Sequence, residues 1–134
     1  MEIDRERARH ALQQITEIEN RELDNYVNYV KGLPAVILQN GLGQALATLL
    51  AASKGERDDH RLLYDQLNEW LCGENGNRYS PYRRCRGSDL MRAITSGSEE
   101  EYVVAQGEAL AYLQWLKKFA VAYLSEERKK EKNA

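Results

Sequence analysis

From about residue 4 to about residue 128, the apolar residues of this chain recur at intervals of three and four and never settle into strict alternation. A period near 3.6 puts such residues on one face of a helix, whereas a half-buried strand needs a period of two. This pattern restricts the chain to helices that each bury a stripe. It predicts an all-α fold: one domain spanning 1–134, a bundle of about five helices with a long first and a long last member. No internal repeat or low-complexity linker divides the chain.

The spacing predicts a first helix over 4–31, with Ala8, Leu12, Ile15, Leu23, Tyr26, Val27 and Val30 on its stripe and Ala11 and Ile18 filling gaps. Gly32 suits its C-terminal cap, and Pro34 suits the first turn of the next helix. That second helix runs to Ser53-Lys54-Gly55, with Leu38, Leu42, Ala45, Leu46 and Leu49 as its main stripe. Its middle, Asn40-Gly41-Leu42-Gly43-Gln44, is unusual, because each interior glycine costs a helix about 1 kcal/mol relative to alanine. The apolar phase survives across the glycines, which favours a continuous helix. The rival is a turn at Asn40-Gly41, a dipeptide suited to left-handed backbone. The continuous helix puts Asn40 and Gln44 on one side, beside a strip without side chains at Gly41 and Gly43.

Asp58 or Asp59 caps a third helix whose buried face is Leu63, Leu67, Trp70 and Leu71. An irregular stretch follows over 72–87, where Ser80-Pro81 can start one short turn. Ser88 is expected to cap a short helix with Leu90, Ala93 and Ile94, ended by Gly97. Ser98 and Glu101 then fit a capping box, and Glu99 to Glu101 oppose the positive helix end. The last helix, over about 99–128, has two apolar faces. One is Tyr102, Ala105, Ala109, Leu113, Leu116, Ala120 and Leu124; the other is Tyr112, Trp115, Phe119 and Tyr123. A second apolar face suits a helix set between neighbours, or one that keeps a face for a partner. The charged tail 125–134 is expected to fray.

Function classes narrow quickly. A net charge of −2 does not mark a nucleic-acid binder in bulk, so any basic surface must come from local clustering. No stretch approaches the roughly 20 apolar residues of a membrane span, and the charged N-terminus lacks the apolar core of a signal peptide, which makes the cytoplasm the default location. Cys72 and Cys85 match no zinc or redox spacing and read as inert thiols. His10 and His60 stand far apart, outside any metal-ligand pattern. No nucleophile motif or phosphate-binding glycine loop is present, and no metal or cofactor is expected. The chain reads as a non-enzyme.

The basic residues are more informative. Arg78, Arg83, Arg84 and Arg86 fall in one stretch without an acid between them, with Tyr79 and Tyr82 interleaved and Arg92 beyond. Arginine forks grip phosphates and aromatic faces stack on bases, so these are candidate RNA contacts; equally, the tyrosines can anchor a soluble loop. Lys31, Lys54 and Arg57 near helix junctions are further candidates. Arg5, Arg7 and Arg9 alternate with Glu2, Asp4 and Glu6 and read as a mixed solvated face.

The run Tyr29, Leu33-Pro34-Ala35, Ile37 and Asn40-Gly41-Leu42-Gly43-Gln44-Ala45-Leu46-Ala47 resembles the signature of the small helical subunit of type III-B CRISPR effector complexes, the Cmr small subunit. The resemblance continues through 62–71, 89–102 and 108–120, in order along most of the chain. It implies a non-catalytic structural subunit of an RNA-guided, RNA-targeting ribonucleoprotein of antiviral defence. Implied partners are the other Cmr subunits, further copies of itself, and guide and target RNA; other subunits would cut. Since guide pairing supplies the specificity, such a subunit needs only phosphate and shape contacts. The resemblance assigns no individual arginine to RNA. Asn40, Gly41, Gly43 and Gln44 are expected to form a close-packing or subunit seam. The alternative is a free-standing adaptor that binds another protein through Tyr112, Trp115 and Phe119.

Overall fold

The computed structural model describes residues 2–124, so the expected fraying of 125–134 and any extension of the last helix to 128 lie outside the described residues. The elements are α1 (Glu2–Ile18), α2 (Tyr26–Asn40), α3 (Leu42–Ala52), α4 (Asp59–Cys72), a single 3-10 turn (Arg83–Cys85), α5 (Leu90–Ser96) and α6 (Glu99–Leu124). No strand occurs among the described residues. α6, with 26 residues, is the spine: α1 and α2 both pack along it, and α3 and α5 lie against the α4 side of the bundle.

The later helices follow their apolar stripes. Leu63, Leu67, Trp70 and Leu71 are buried in α4, and Ala105, Ala109, Leu113, Leu116, Ala120 and Leu124 in α6. Asp58 caps α4 by accepting the His60 N–H at 2.8 Å. The capping box of α6 is complete: the Ser98 N–H donates to Glu101 Oε1 at 2.8 Å, and the Glu101 N–H donates to Ser98 Oγ at 3.1 Å.

The first half of the chain breaks elsewhere than its periodicity suggests. α1 stops at Ile18, because the run Glu19 to Asn25 offers only Leu23 to a core and is rich in Asn and Asp, which compete with helical backbone bonds. The Asn25 N–H instead donates to Asp59 Oδ2 at 2.9 Å, tying this connection to the start of α4. Conversely, α2 runs straight through Gly32 and Pro34. An interior proline removes one backbone donor and costs roughly 3 kcal/mol. Burial of Tyr26, Val30, Leu33 and Ile37 on the core face beside it offsets this, at about 1.5–3 kcal/mol for each large apolar side chain.

The continuous helix across the glycines does not form. Gly41 separates α2 from α3 with φ +86° and ψ 158°, a region open essentially to glycine alone. Its N–H closes α2 on the Ile37 carbonyl at 2.7 Å, and its carbonyl opens α3 by accepting the Ala45 N–H at 3.1 Å. The break resets the helical phase. Leu38, which a continuous helix would place on the buried stripe, is 71% exposed, and Ile37 takes its place inside.

Candidate nucleic-acid and subunit interface

The segment from Gly73 to Asp89 has little regular structure, yet its backbone is fixed to the end of α4. The Asn77 N–H donates to the Trp70 carbonyl at 2.8 Å, Ser80 Oγ to the Leu71 carbonyl at 2.8 Å, and the Gly87 N–H to the Cys72 carbonyl at 2.9 Å. Gly76 permits this, since a Cβ there would stand 2.2 Å from the Glu69 carbonyl oxygen. Tyr82 fills the space beneath and is fully buried, so it is closed to base stacking. Tyr79 remains 55% exposed, with the Arg78 guanidinium 5.3 Å from its ring centroid.

The four arginines of this loop divide into two pairs. Arg78 Nη2 donates to Glu6 Oε1 at 2.5 Å and Glu2 Oε1 at 3.2 Å, which straps the loop to the first turns of α1. Arg84 donates from Nε and Nη2 to both oxygens of Glu101, at 2.9 and 2.6 Å, and straps it to α6. That fork, with the Ser98 N–H, holds the Glu101 carboxyl down at about 2. Arg83 and Arg86 are exposed and have no protein partner among the described residues. Their guanidinium forks are wholly open to an incoming phosphate.

Lys31, Lys54 and Arg57 are exposed too, likewise without a partner for their side chains among the described residues, but they do not join this loop. Lys54 and Arg57 precede α4 and the arginine loop follows it; a helix of 14 residues separates its ends by about 20 Å. Asp58 and Asp59 lie beside that basic pair, and Asp58 Oδ2 accepts the Lys54 N–H at 3.2 Å. The basic candidates therefore form separated patches.

Gly41 and Gly43 face α6. A Cβ on Gly41 would stand 2.9 Å from the Tyr102 hydroxyl, and one on Gly43 3.5 Å from it. The Leu42 N–H donates to Gln106 Oε1 and the Gly43 N–H to the Tyr102 hydroxyl, both at 2.9 Å. Those two α6 side chains cap α3 in place of a local residue. α5 repeats the device: the Leu90 N–H donates to Asn68 Oδ1 at 2.7 Å and the Met91 N–H to the Tyr64 hydroxyl at 3.1 Å, so the cap expected from Ser88 comes from α4. Asn40 and Gln44 are exposed, and their amide groups have no partner among the described residues.

The aromatic face expected for an adaptor is largely spent inside the bundle. Tyr112 is buried, Trp115 Nε1 donates to Asp4 Oδ1 at 3.0 Å, and Phe119 lies 5.7 Å from the Trp115 ring; Tyr123, 45% exposed, is the outermost ring of that row. His10, outside any metal-ligand pattern in the sequence, is buried and satisfied: its Nδ1 meets the Tyr112 hydroxyl at 2.7 Å and its ring packs on Trp70 at 5.0 Å. Burial pushes the His10 imidazole down to about 4. A single histidine among surface charges carries no signal for this; only its position one residue before the buried Ala11 hints at it.

Among the described residues no three His, Cys, Asp or Glu side chains are grouped to hold a metal ion, and no helix is long and apolar enough to cross a membrane. Cys72 and Cys85 are free thiols, and burial raises Cys72 to about 12, away from the reactive thiolate range. Residues 3–123 match the family described as CRISPR-associated protein (Cas_Cmr5).

Proposed function

Because the chain belongs to the CRISPR-associated Cmr5 family, a subunit family of the type III-B Cmr complex, we propose that it is a non-catalytic structural brick of that RNA-guided ribonucleoprotein. It stacks with neighbouring subunits and with copies of itself in the cytoplasm, and lends positive charge to the channel that holds guide and target RNA. The family membership carries this reading. The pinned loop supports its RNA part: Arg83 and Arg86 stand exposed on a backbone fixed to α4 and strapped at Arg78 and Arg84. Fixed backbone with open guanidinium forks suits contact with a phosphate chain whose sequence is read by base pairing. Asn40 and Gln44, exposed on either side of the Gly41 break, are assigned to the seam with a neighbouring subunit.

The test is salt-dependent RNA binding by the assembled complex that carries Arg83→Glu and Arg86→Glu. Weaker binding with a shallower salt dependence, in a complex that still assembles, supports the reading. Unchanged binding removes the loop from the RNA channel. A complex that assembles and binds RNA fully without this chain overturns the structural role.

A further inference from the structure

A second basic site lies on the other side of Arg78. Between α1 and the turn Gly73–Arg78 is a cleft of about 170 Å³, lined by Glu6, Arg9, His10, Gln13, Trp70 and Arg78 among others. A second groove of about 120 Å³ shares Glu6, Arg9 and Arg78 with it and adds Glu2 and Arg5. Both are below the roughly 300–1,000 Å³ typical of sites for drug-sized ligands, yet roomy enough for a small anion with water.

The hydrogen-bond network fixes which donors face this space. Tyr112 is fully buried, and among the described residues its hydroxyl has no acceptor other than His10 Nδ1. The tyrosine proton therefore lies on that bond, and the ring proton of His10 is on Nε2. His10 is 6% exposed and lines the cleft, and its Nε2 has no partner among the described residues and is not among the wholly buried polar atoms, which leaves Nε2–H to the cleft. Arg78 uses Nη2 alone for Glu2 and Glu6, which leaves its Nε and Nη1 donors open. Arg9 has no partner among the described residues. Two cationic forks and one neutral donor thus line this space, opposed by the Glu6 and Glu2 carboxylates that Arg78 already meets; with Arg5 the lining keeps one positive charge in excess.

We infer that this cleft is a phosphate-binding site, in which Arg9 and Arg78 neutralise the group and His10 Nε2–H fixes its position. The phosphate belongs either to an RNA backbone, which rests on the RNA-binding reading above, or to a free phosphate or phosphate monoester, which does not. Charge-assisted bonds from arginine supply the affinity, and the buried imidazole supplies a donor that loses little freedom on binding.

The experiment is nitrogen NMR of the histidine side chains of the full chain, titrated with inorganic phosphate, with chloride at matched ionic strength, and with a short oligoribonucleotide lacking terminal phosphates. His60, at the opposite end of α4 from Trp70, is the internal reference. A saturable change at His10 Nε2 with phosphate and not chloride, weakened about tenfold in Arg9→Ala, supports the site. Arg9 is exposed on α1, so this variant leaves the core intact. A response to the oligoribonucleotide that phosphate competes away identifies the RNA backbone as the source; a response to phosphate alone identifies the free ligand. Equal responses to chloride and phosphate, or a phosphate response untouched by Arg9→Ala, overturn the site. That failure leaves the Arg83 and Arg86 reading standing, because the assembled complex tests it separately.

Discussion

The hydroxyl of Tyr102 accepts the backbone N–H of Gly43 at 2.9 Å, bridging 59 positions of sequence to cap a helix that has no cap of its own. One turn further along α6, Gln106 takes the preceding N–H, of Leu42. In α4, Tyr64 and Asn68 stand at the same spacing and serve Met91 and Leu90 in the same way. The first N–H groups of a helix have no partner within it, so a tyrosine and an amide four apart on a long helix can dock the start of a short one. Replacing Tyr102 by Phe leaves the Gly43 N–H without an acceptor in a partly buried site. It is expected to cost about 1–2 kcal/mol, read as a lower urea midpoint with an unchanged slope.

The two glycines beside this cap are expected to behave oppositely. Gly41→Ala meets both a disallowed φ and a Tyr102 oxygen at 2.9 Å, and should destabilise by at least about 1 kcal/mol. Gly43 is helical, and its added methyl would meet the same oxygen at an ordinary 3.5 Å. Gly43→Ala should be neutral or stabilise by up to about 1 kcal/mol, as equilibrium denaturation of the isolated chain would show.

Stability should fall in mild acid because of His10. Its folded imidazole is lowered to about 4 from an ordinary 6.5, so between these values the unfolded chain binds a proton that the folded chain refuses. No penalty exists above about pH 6.5; it grows as pH falls and levels off below about 4, at a magnitude of order 3 kcal/mol. Urea unfolding at pH 7 and pH 4.5 measures the loss, and His10→Phe should flatten this part of the profile.

The two arginine pairs of the loop should separate in a salt titration of RNA binding by the complex. If Arg83 and Arg86 each neutralise one phosphate, removing either charge is expected to reduce the log–log slope by about 0.7. Glu101→Gln keeps the capping role of that side chain but releases Arg84 from a full ion pair, and is expected to raise affinity. Glu22→Gln, an exposed acid apart in sequence from every basic candidate, sets the baseline for removing one negative charge. A gain no larger than that baseline would show that the strap does not compete with RNA.

α4 and α6 are readable from sequence because a periodic stripe and a local cap agree in each. The stretch 19–41 is not, because its apolar spacing runs on across the local breaker run at 19–25 and the break at Gly41 is decided by distant partners. The apolar phase at Ile37, Leu38 and Leu42 fits an unbroken helix as well as a broken one, and Tyr102 and Gln106 decide between them. Pro34 looks like a helix start, yet burial of Leu33 and Ile37 carries α2 through it. The same holds for the arginine loop. Its lack of nearby acids suggests four free cations, but Glu6 and Glu101 reach two of them from 72 and 17 positions away.

Those two straps have a consequence for how the complex should be measured. Exposed ion pairs weaken as the Debye length shrinks toward about 8 Å at physiological ionic strength and below it in stronger salt. Added electrolyte then both screens the polyanion and slackens the ties at Arg78 and Arg84 that help aim Arg83, between them, and Arg86, just beyond. The number of neutralised phosphates inferred from the electrolyte dependence alone would be too high, by the share that belongs to loop positioning.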